Sequence, residues 1–241
     1  MIRRRLHRQR PAWPRALTAA AVLAVLAAPT HSAAAQGPPT AAAAAAIVHQ
    51  GNARGAPPCI SCHGPRLEGL AAMVSPRLAG QSAAYVVAQL DAFAGGTRKN
   101  AIMLPVATAL SPAERQALGT YLSTLAPVAA PASDSAPPPA AVLQLGERLA
   151  THGRWANGVP ACDQCHGPGG VGVGTTFPPL AGQPSAYLAA QLDAYRQGTR
   201  PGGPLGLMST LVSRLSAADI AAVSAYYQRQ PPVAAATGGR P

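Results

Sequence analysis

The sequence predicts an all-α protein in which one helical unit is used twice, and three observations predict it. The first is an internal repeat. Cys59-Ile60-Ser61-Cys62-His63-Gly64-Pro65 returns as Cys162-Asp163-Gln164-Cys165-His166-Gly167-Pro168, and Leu78-Ala79-Gly80-Gln81 returns as Leu180-Ala181-Gly182-Gln183, at offsets of 103 and then 102 residues. The second is apolar spacing. Val86, Leu90 and Phe93, and again Leu188, Leu192 and Tyr195, fall at i, i+4, i+7, while no segment alternates strictly as a strand would. The third is a duplicated helix start. Ser111-Pro112-Ala113-Glu114 reads as a capping box with proline at the first helical position, and Ser216-Ala217-Ala218-Asp219 is its looser twin.

Residues 1–35 read as an export signal. Six arginines stand in the first fifteen positions, followed by an apolar stretch from Leu17 to Ala28, then Pro29 and Ser32-Ala33-Ala34-Ala35. Cleavage is expected between Ala35 and Gln36, with delivery to the periplasm. The apolar stretch is short for a bilayer, which makes a retained anchor the minor alternative. Without this leader, 13 basic and 8 acidic side chains remain, a net charge of +5. Those basic residues form no run and no stripe, which removes the case for nucleic-acid binding.

The first unit is expected over 36–126 and the second over 142–230. The last helix of each carries Leu118, Leu122 and Leu125, or Ile220, Val223 and Tyr227, on one face. Gly95 and Gly198 are expected to stop the preceding helix. Residues 127–141, rich in proline and poor in large side chains, read as a linker, and 231–241 as a disordered tail. Aromatic residues make up 4% of the chain and Gly and Pro about a fifth. A single core built from such residues would be thin. Two domains of ~90 residues, each filled by a cofactor, are easier to stabilise.

The cysteines say which cofactor. Cys-x-x-Cys-His is the attachment sequence of c-type haem: two thiols on one helical turn add to the porphyrin vinyl groups, and the following histidine points at the iron. The two copies use every cysteine in the chain, Cys59, Cys62, Cys162 and Cys165, with His63 and His166 as axial ligands. A zinc ribbon would need the cysteine pairs far closer in sequence. A thioredoxin-like pair would need a βαβ context, and disulfides would leave the histidines unexplained. The glycine-rich run Gly170–Gly174 has no strand leading into it and is not read as a phosphate loop.

With the Leu-Ala-Gly-Gln repeats and a late methionine in each copy, these motifs make the chain resemble the dihaem cytochrome c4 family, from about residue 45 to 230. The resemblance implies two tandem class I cytochrome c-like domains, each wrapped around a covalently bound haem, with His/Met ligation. Gly64-Pro65-Arg66-Leu67-Glu68 in the first copy departs from the pattern that Gly167-Pro168-Gly169-Gly170 keeps. Met103 and Met208, 40 and 42 residues after their histidines, are the methionines placed equivalently in both copies and are read as the sixth ligands. Met73 is read as packing. His49 and His152, each fourteen residues before the axial histidine, are rival ligands but are read as helix-end residues. By the same resemblance, the carbonyls of Pro76 and Pro178 orient the axial histidines. Arg98 and Arg200 are open between neutralising a haem propionate and lying solvated on the surface.

The expected function is single-electron transport between periplasmic redox partners; the resemblance implies a quinol-oxidising complex as donor and a membrane-bound oxidase as acceptor. The alternative is service as the cytochrome subunit of a dehydrogenase complex oxidising sulfide, sulfite or an alcohol; a dihaem enzyme is the least favoured reading. No small-molecule substrate is expected, and peripheral association with the membrane is compatible with the charge. The linker composition permits separated domains, but the resemblance implies that they pack as one particle.

Overall fold

Side-chain caps set where several helices begin. The structure, a computed structural model, describes residues 40–131 and 137–233; the leader and most of the tail lie outside them. Among the described residues ten α-helices run in order: α1 Ala41–Gln50, α2 Ile60–His63, α3 Ala83–Ala94, α4 Met103–Thr108, α5 Pro112–Thr124, α6 Ala140–Thr151, α7 Asp163–His166, α8 Ser185–Arg196, α9 Leu207–Val212 and α10 Ala217–Gln228. Both expected capping boxes form in full, at Ser111 and Glu114 and at Ser216 and Asp219. Thr40 and Ser82 cap α1 and α3 through their hydroxyls. The described residues hold no strand, only two isolated bridges. The all-α class and the tandem arrangement are as the repeat requires.

Three local expectations need adjustment. Gly95 does close α3, but in a right-handed conformation, and the left-handed turn falls to Gly96 (φ 71), the repeat partner of Gly198 (φ 68). The segment read as the end of the linker is already helical, because α6 begins at Ala140 directly behind Pro139, a residue tolerated at a helix start. Met103 and Met208 stand at the beginnings of the one-and-a-half-turn helices α4 and α9 and not on open loops.

In the N-terminal unit α1 and α3 pack on α5, burying Ala44, Ile47, Val48 and Val86 against Leu118 and Leu122. In the C-terminal unit α6 and α8 pack on α10, around Ala150, Leu188, Val223 and Tyr227. The α6–α10 crossing is close because Gly146 carries no side chain: a methyl there would meet the Ala222 carbonyl, its carbon at 2.7 Å, and Tyr226 Cβ at 2.8 Å. Each Leu-Ala-Gly-Gln loop is fastened to the last helix of its own unit, Gly80 N–H donating to Leu122 O (3.0 Å) and Gly182 N–H to Tyr227 O (2.8 Å).

The described residues, 40–131 and 137–233, fall in one compact unit, in which the two repeats dock on each other. Gln183 is inserted between them. Its Oε1 accepts from the Arg77 backbone N–H (2.9 Å) and its Nε2 donates to the Arg77 carbonyl (3.1 Å). Its repeat partner, Gln81, cannot do the same. The equivalent of Arg77 is Pro179, which has no N–H to give, and Gln81 Oε1 is left buried without a donor. Further links are Lys99 N–H to Thr199 O (2.8 Å) and Ala130 N–H to Gly182 O (3.4 Å).

Candidate functional site

Each Cys-x-x-Cys-His stretch folds as a single helical turn. The Cys62 and His63 amides turn back to Cys59 O (3.3 and 3.0 Å), and those of Cys165 and His166 to Cys162 O (3.2 and 2.9 Å). This sets each cysteine pair three residues apart on one turn, the spacing that covalent attachment needs. All four thiols are unbridged. Burial pushes the Cys59 and Cys162 thiols up to about 11, so both stay protonated. Gly64 (φ 89) and Gly167 (φ 78) end the turns in backbone conformations that favour glycine.

The histidines are held in the tautomer a metal requires. His63 Nδ1 donates to Pro76 O and His166 Nδ1 to Pro178 O, both at 2.9 Å, leaving each Nε2 lone pair uncommitted. The rings are 7% and 8% exposed. Burial is the main reason that both sit below the ordinary histidine value, so both are neutral; at His166 the Arg200 charge adds to the shift. Phe177 meets the His166 ring edge-on at 5.9 Å. The second site has one support the first lacks: Tyr227 donates its hydroxyl to Asp163 Oδ1 (2.7 Å), whose other oxygen accepts from Gly169 N–H (2.9 Å).

The methionines lie on α4 and α9, which pack against α3 and α8. Met103 and Met208 are half-buried. Met103 N–H is capped by Asn100 Oδ1 (2.8 Å), and Met208 N–H donates to Gly202 O (2.9 Å). Met73, at the end of a single 3₁₀ turn, is 47% exposed and so is not the packed residue the sequence suggested. His49 and His152 are exposed at the C-terminal ends of α1 and α6, the helix-end position expected of them.

Arg98 and Arg200 depart from the solvated alternative. They are 6% and 7% exposed and lie in the docking surface between the repeats. Sequence reasoning missed this surface, along with Arg77, Gln183, Tyr85 and Tyr187; the available signal was the double occurrence of Gly-Thr-Arg and of the Gln ending Leu-Ala-Gly-Gln.

These residues fit a haem. Among the described residues no three His, Cys, Asp or Glu side chains converge into a protein-built metal cage. One imidazole with a prepared Nε2 beside two thiols on one turn suits a metal that arrives in its own macrocycle.

Comparison with known proteins agrees with this geometry. The cytochrome c family model matches residues 50–126 and 146–229. A protein named thiosulfate dehydrogenase electron acceptor, from Thiomonas intermedia (strain K12), is 47% identical over 180 residues, covering 73% of this chain and 82% of the relative. Cytochrome c4 of Thiocapsa roseopersicina is 38% identical over 180 residues, covering 74% and 90%. Among solved structures, thiosulfate dehydrogenase from Marichromatium purpuratum superposes with a TM-score of 0.72 at 40% identity; the match covers 78% of this chain but 40% of that one.

Proposed function

Because the chain belongs to the cytochrome c family, as a dihaem cytochrome c4-type electron carrier with two covalently bound haem c groups, we propose that it accepts single electrons from a thiosulfate-oxidising dehydrogenase in the periplasm and passes them to a membrane-bound respiratory oxidase. The observation that carries the carrier reading is the duplicated histidine site, with each Nδ1 committed to a proline carbonyl at 2.9 Å. In this reading Cys59 and Cys62, and Cys162 and Cys165, form the thioether links. His63 and Met103 ligate one iron, His166 and Met208 the other. Pro76 and Pro178 hold the imidazoles so that oxidation and reduction require little reorganisation. The haem supplies the ferrous–ferric couple; the chain supplies burial, ligand orientation and separation from solvent.

The choice of donor is supported by the relatives: the protein at 47% identity is named for accepting electrons from thiosulfate dehydrogenase. The cytochrome c4 likeness supports the second reading, a quinol-oxidising complex as donor. Rapid mixing of the oxidised protein with each donor decides between them. A thiosulfate dehydrogenase supplied with thiosulfate should reduce both haems, two electrons per chain, faster than a quinol-oxidising complex does. The reverse order would overturn the donor assignment and leave the carrier reading standing.

A further inference from the structure

The first copy's departure at Gly64-Pro65-Arg66-Leu67-Glu68 has a counterpart in the second, and together they place one acid behind each axial-histidine turn. The two loops agree bond for bond. Leu67 (φ 58) and Gly170 (φ 74) share a left-handed conformation, and their amides donate to Gly64 O (2.9 Å) and Gly167 O (2.8 Å). Gly69 and Gly172 then donate to His63 O (2.8 Å) and His166 O (2.6 Å). In this register Arg66 corresponds to Gly169 and Glu68 to Val171. A carboxylate accepts from the first of these amides in both copies, but it arrives from opposite directions. Glu68 reaches back from the loop to Arg66 N–H (2.7 Å), whereas Asp163 reaches forward from α7 to Gly169 N–H (2.9 Å).

The two acids are not equal. Glu68 lies against the backbone of the turn, where a methyl on Gly64 would meet its Oε2 at 2.6 Å. Asp163 stands on the turn itself, between Cys162 and Cys165, and its charge reaches both ends. After burial it is the largest influence raising the Cys162 thiol. At His166, where burial dominates, it pulls upward against the Arg200 charge. Among the described residues no cation pairs with Asp163. Its Oδ1 instead accepts from Tyr227 OH (2.7 Å). Tyr227 is 2% exposed, and burial above all keeps its hydroxyl protonated and donating. The first copy carries Ile60 in place of Asp163 and Leu122 in place of Tyr227, so it has neither the charge nor the donor there.

A carboxylate on the same helical turn as an iron ligand favours the more positive oxidation state, because charge in poorly hydrated surroundings is weakly screened. A hydrogen bond from a buried hydroxyl spreads that charge onto the donor and moderates its effect. We propose that Asp163 and Tyr227 set the potential of the second haem, the carboxylate holding it down and the hydroxyl limiting how far. Asp163 thereby tilts the sharing of a single electron towards the first haem. The proposal rests on the two covalently bound haems, not on the identity of the donor.

The test is an optical redox titration of the mature protein and its variants, with haem content confirmed by mass. Asp163→Asn keeps the shape of the side chain and removes its charge. One of the two reduction equilibria should move about tenfold towards the ferrous form, ~59 mV for a one-electron couple, while the other stays in place. A merely structural role has the opposite sign, since a loosened site admits water, which stabilises ferric iron and lowers the potential. Tyr227→Phe should move the same equilibrium about threefold towards the ferric form, and should do nothing further in the Asp163→Asn background. If Asp163→Asn fails to mature, Asp163→Ile combined with Tyr227→Leu installs the side chains of the first copy and should give the same rise. An unchanged or lowered potential in the charge-free variants, or a Tyr227→Phe shift that persists without the carboxylate, would overturn the proposal. Fewer than two haems in the parent protein would overturn the carrier reading and the proposal with it.

Discussion

Replacing Gly146 by alanine tests the packing logic of the C-terminal unit. In an open helix this change is favourable by about 1 kcal/mol, since alanine restricts the unfolded chain and suits helix geometry. At the α6–α10 crossing the added methyl would meet backbone: the Ala222 carbonyl carbon at 2.7 Å and Tyr226 Cβ at 2.8 Å, with the carbonyl oxygen closer still. A carbonyl cannot swing aside as a side chain can, so the helices must separate by roughly an ångström, a gap that forfeits a quarter to half of the contact energy across the seam. Ala150, Ala222 and Val223, all buried there, would lose close neighbours. Overpacking of this kind costs about 1–3 kcal/mol, and the upper end applies against backbone. After the helical gain, a net loss of about 2 kcal/mol remains, or roughly 4–8 °C in melting temperature for a chain of this size. The assay is a thermal melt of the oxidised mature protein followed by circular dichroism. Gly119→Ala is the comparison: its methyl would meet the Ala83 backbone oxygen and Val87 Cγ2, each at 2.7 Å. One backbone atom therefore also stands in the way, but less closely than at Gly146; the Ala83 carbonyl carbon lies back at 3.4 Å, and the valine can rotate. The reasoning fails if Gly146→Ala melts at or above the parent, or if Gly119→Ala is the more damaging of the two.

Three further outcomes are expected. Met103→Ala and Met208→Ala should each remove about half of the far-red methionine-to-iron absorption of the oxidised protein and lower one potential; full retention in either variant would give that iron to another donor. Asp219 is held below the usual carboxylate range chiefly by hydrogen bonds from Arg154, helped by Ser216. Its contribution is thus present above the unfolded carboxylate value and lost as pH falls through the lower folded value. Asp219→Asn should cost about 1 kcal/mol at pH 7, with its denaturation midpoint converging on the parent's in acid; a pH-independent difference would contradict this. Tyr227→Phe removes the bond to Asp163 at 2.7 Å and should cost about 1.5–3 kcal/mol, whereas Leu122→Val, at the equivalent N-terminal position, should cost only about 0.5–1.5 kcal/mol. Denaturant titration separates the two.

The parts of the fold that sequence shows best are those fixed by covalent or backbone chemistry. Two thiols on one turn and a histidine beside the second allow few spacings, and the capping boxes at Ser111 and Ser216 need particular residues three apart. The histidine-to-proline bonds were expected from the family resemblance alone, since nothing in the spacing by itself says which carbonyl an imidazole meets. Shorter-range and longer-range features were both hard to see. Helices α4 and α9 have six residues each, too few for a 3.6-residue period to declare itself. Adjacent Gly95 and Gly96 offered two ways to end α3, and only the backbone shows which takes the left-handed turn. The docking surface escaped for a different reason. Arginine, glutamine and tyrosine mark a wetted face in a single helix, and only the folding of one repeat onto the other turns Tyr85, Gln89, Tyr187 and Gln191 into interior residues. Periodicity records which face is apolar; it does not record which polar face is later covered.

The Arg77–Pro179 difference bears on how a duplicated chain recognises its own second half. Two nearly equivalent surfaces allow three pairings: first with second, first with first, and second with second. In the mixed pairing Gln183 finds both a donor and an acceptor in the Arg77 backbone, at a cost of one lone amide oxygen on Gln81. Two second halves meeting in the same manner would offer each Gln183 a proline, with no N–H on either side and two buried oxygens stranded. Two first halves would bring one Arg77 guanidinium towards another. A single position that differs between the copies therefore biases the contact towards first half with second, and against assemblies built from like halves.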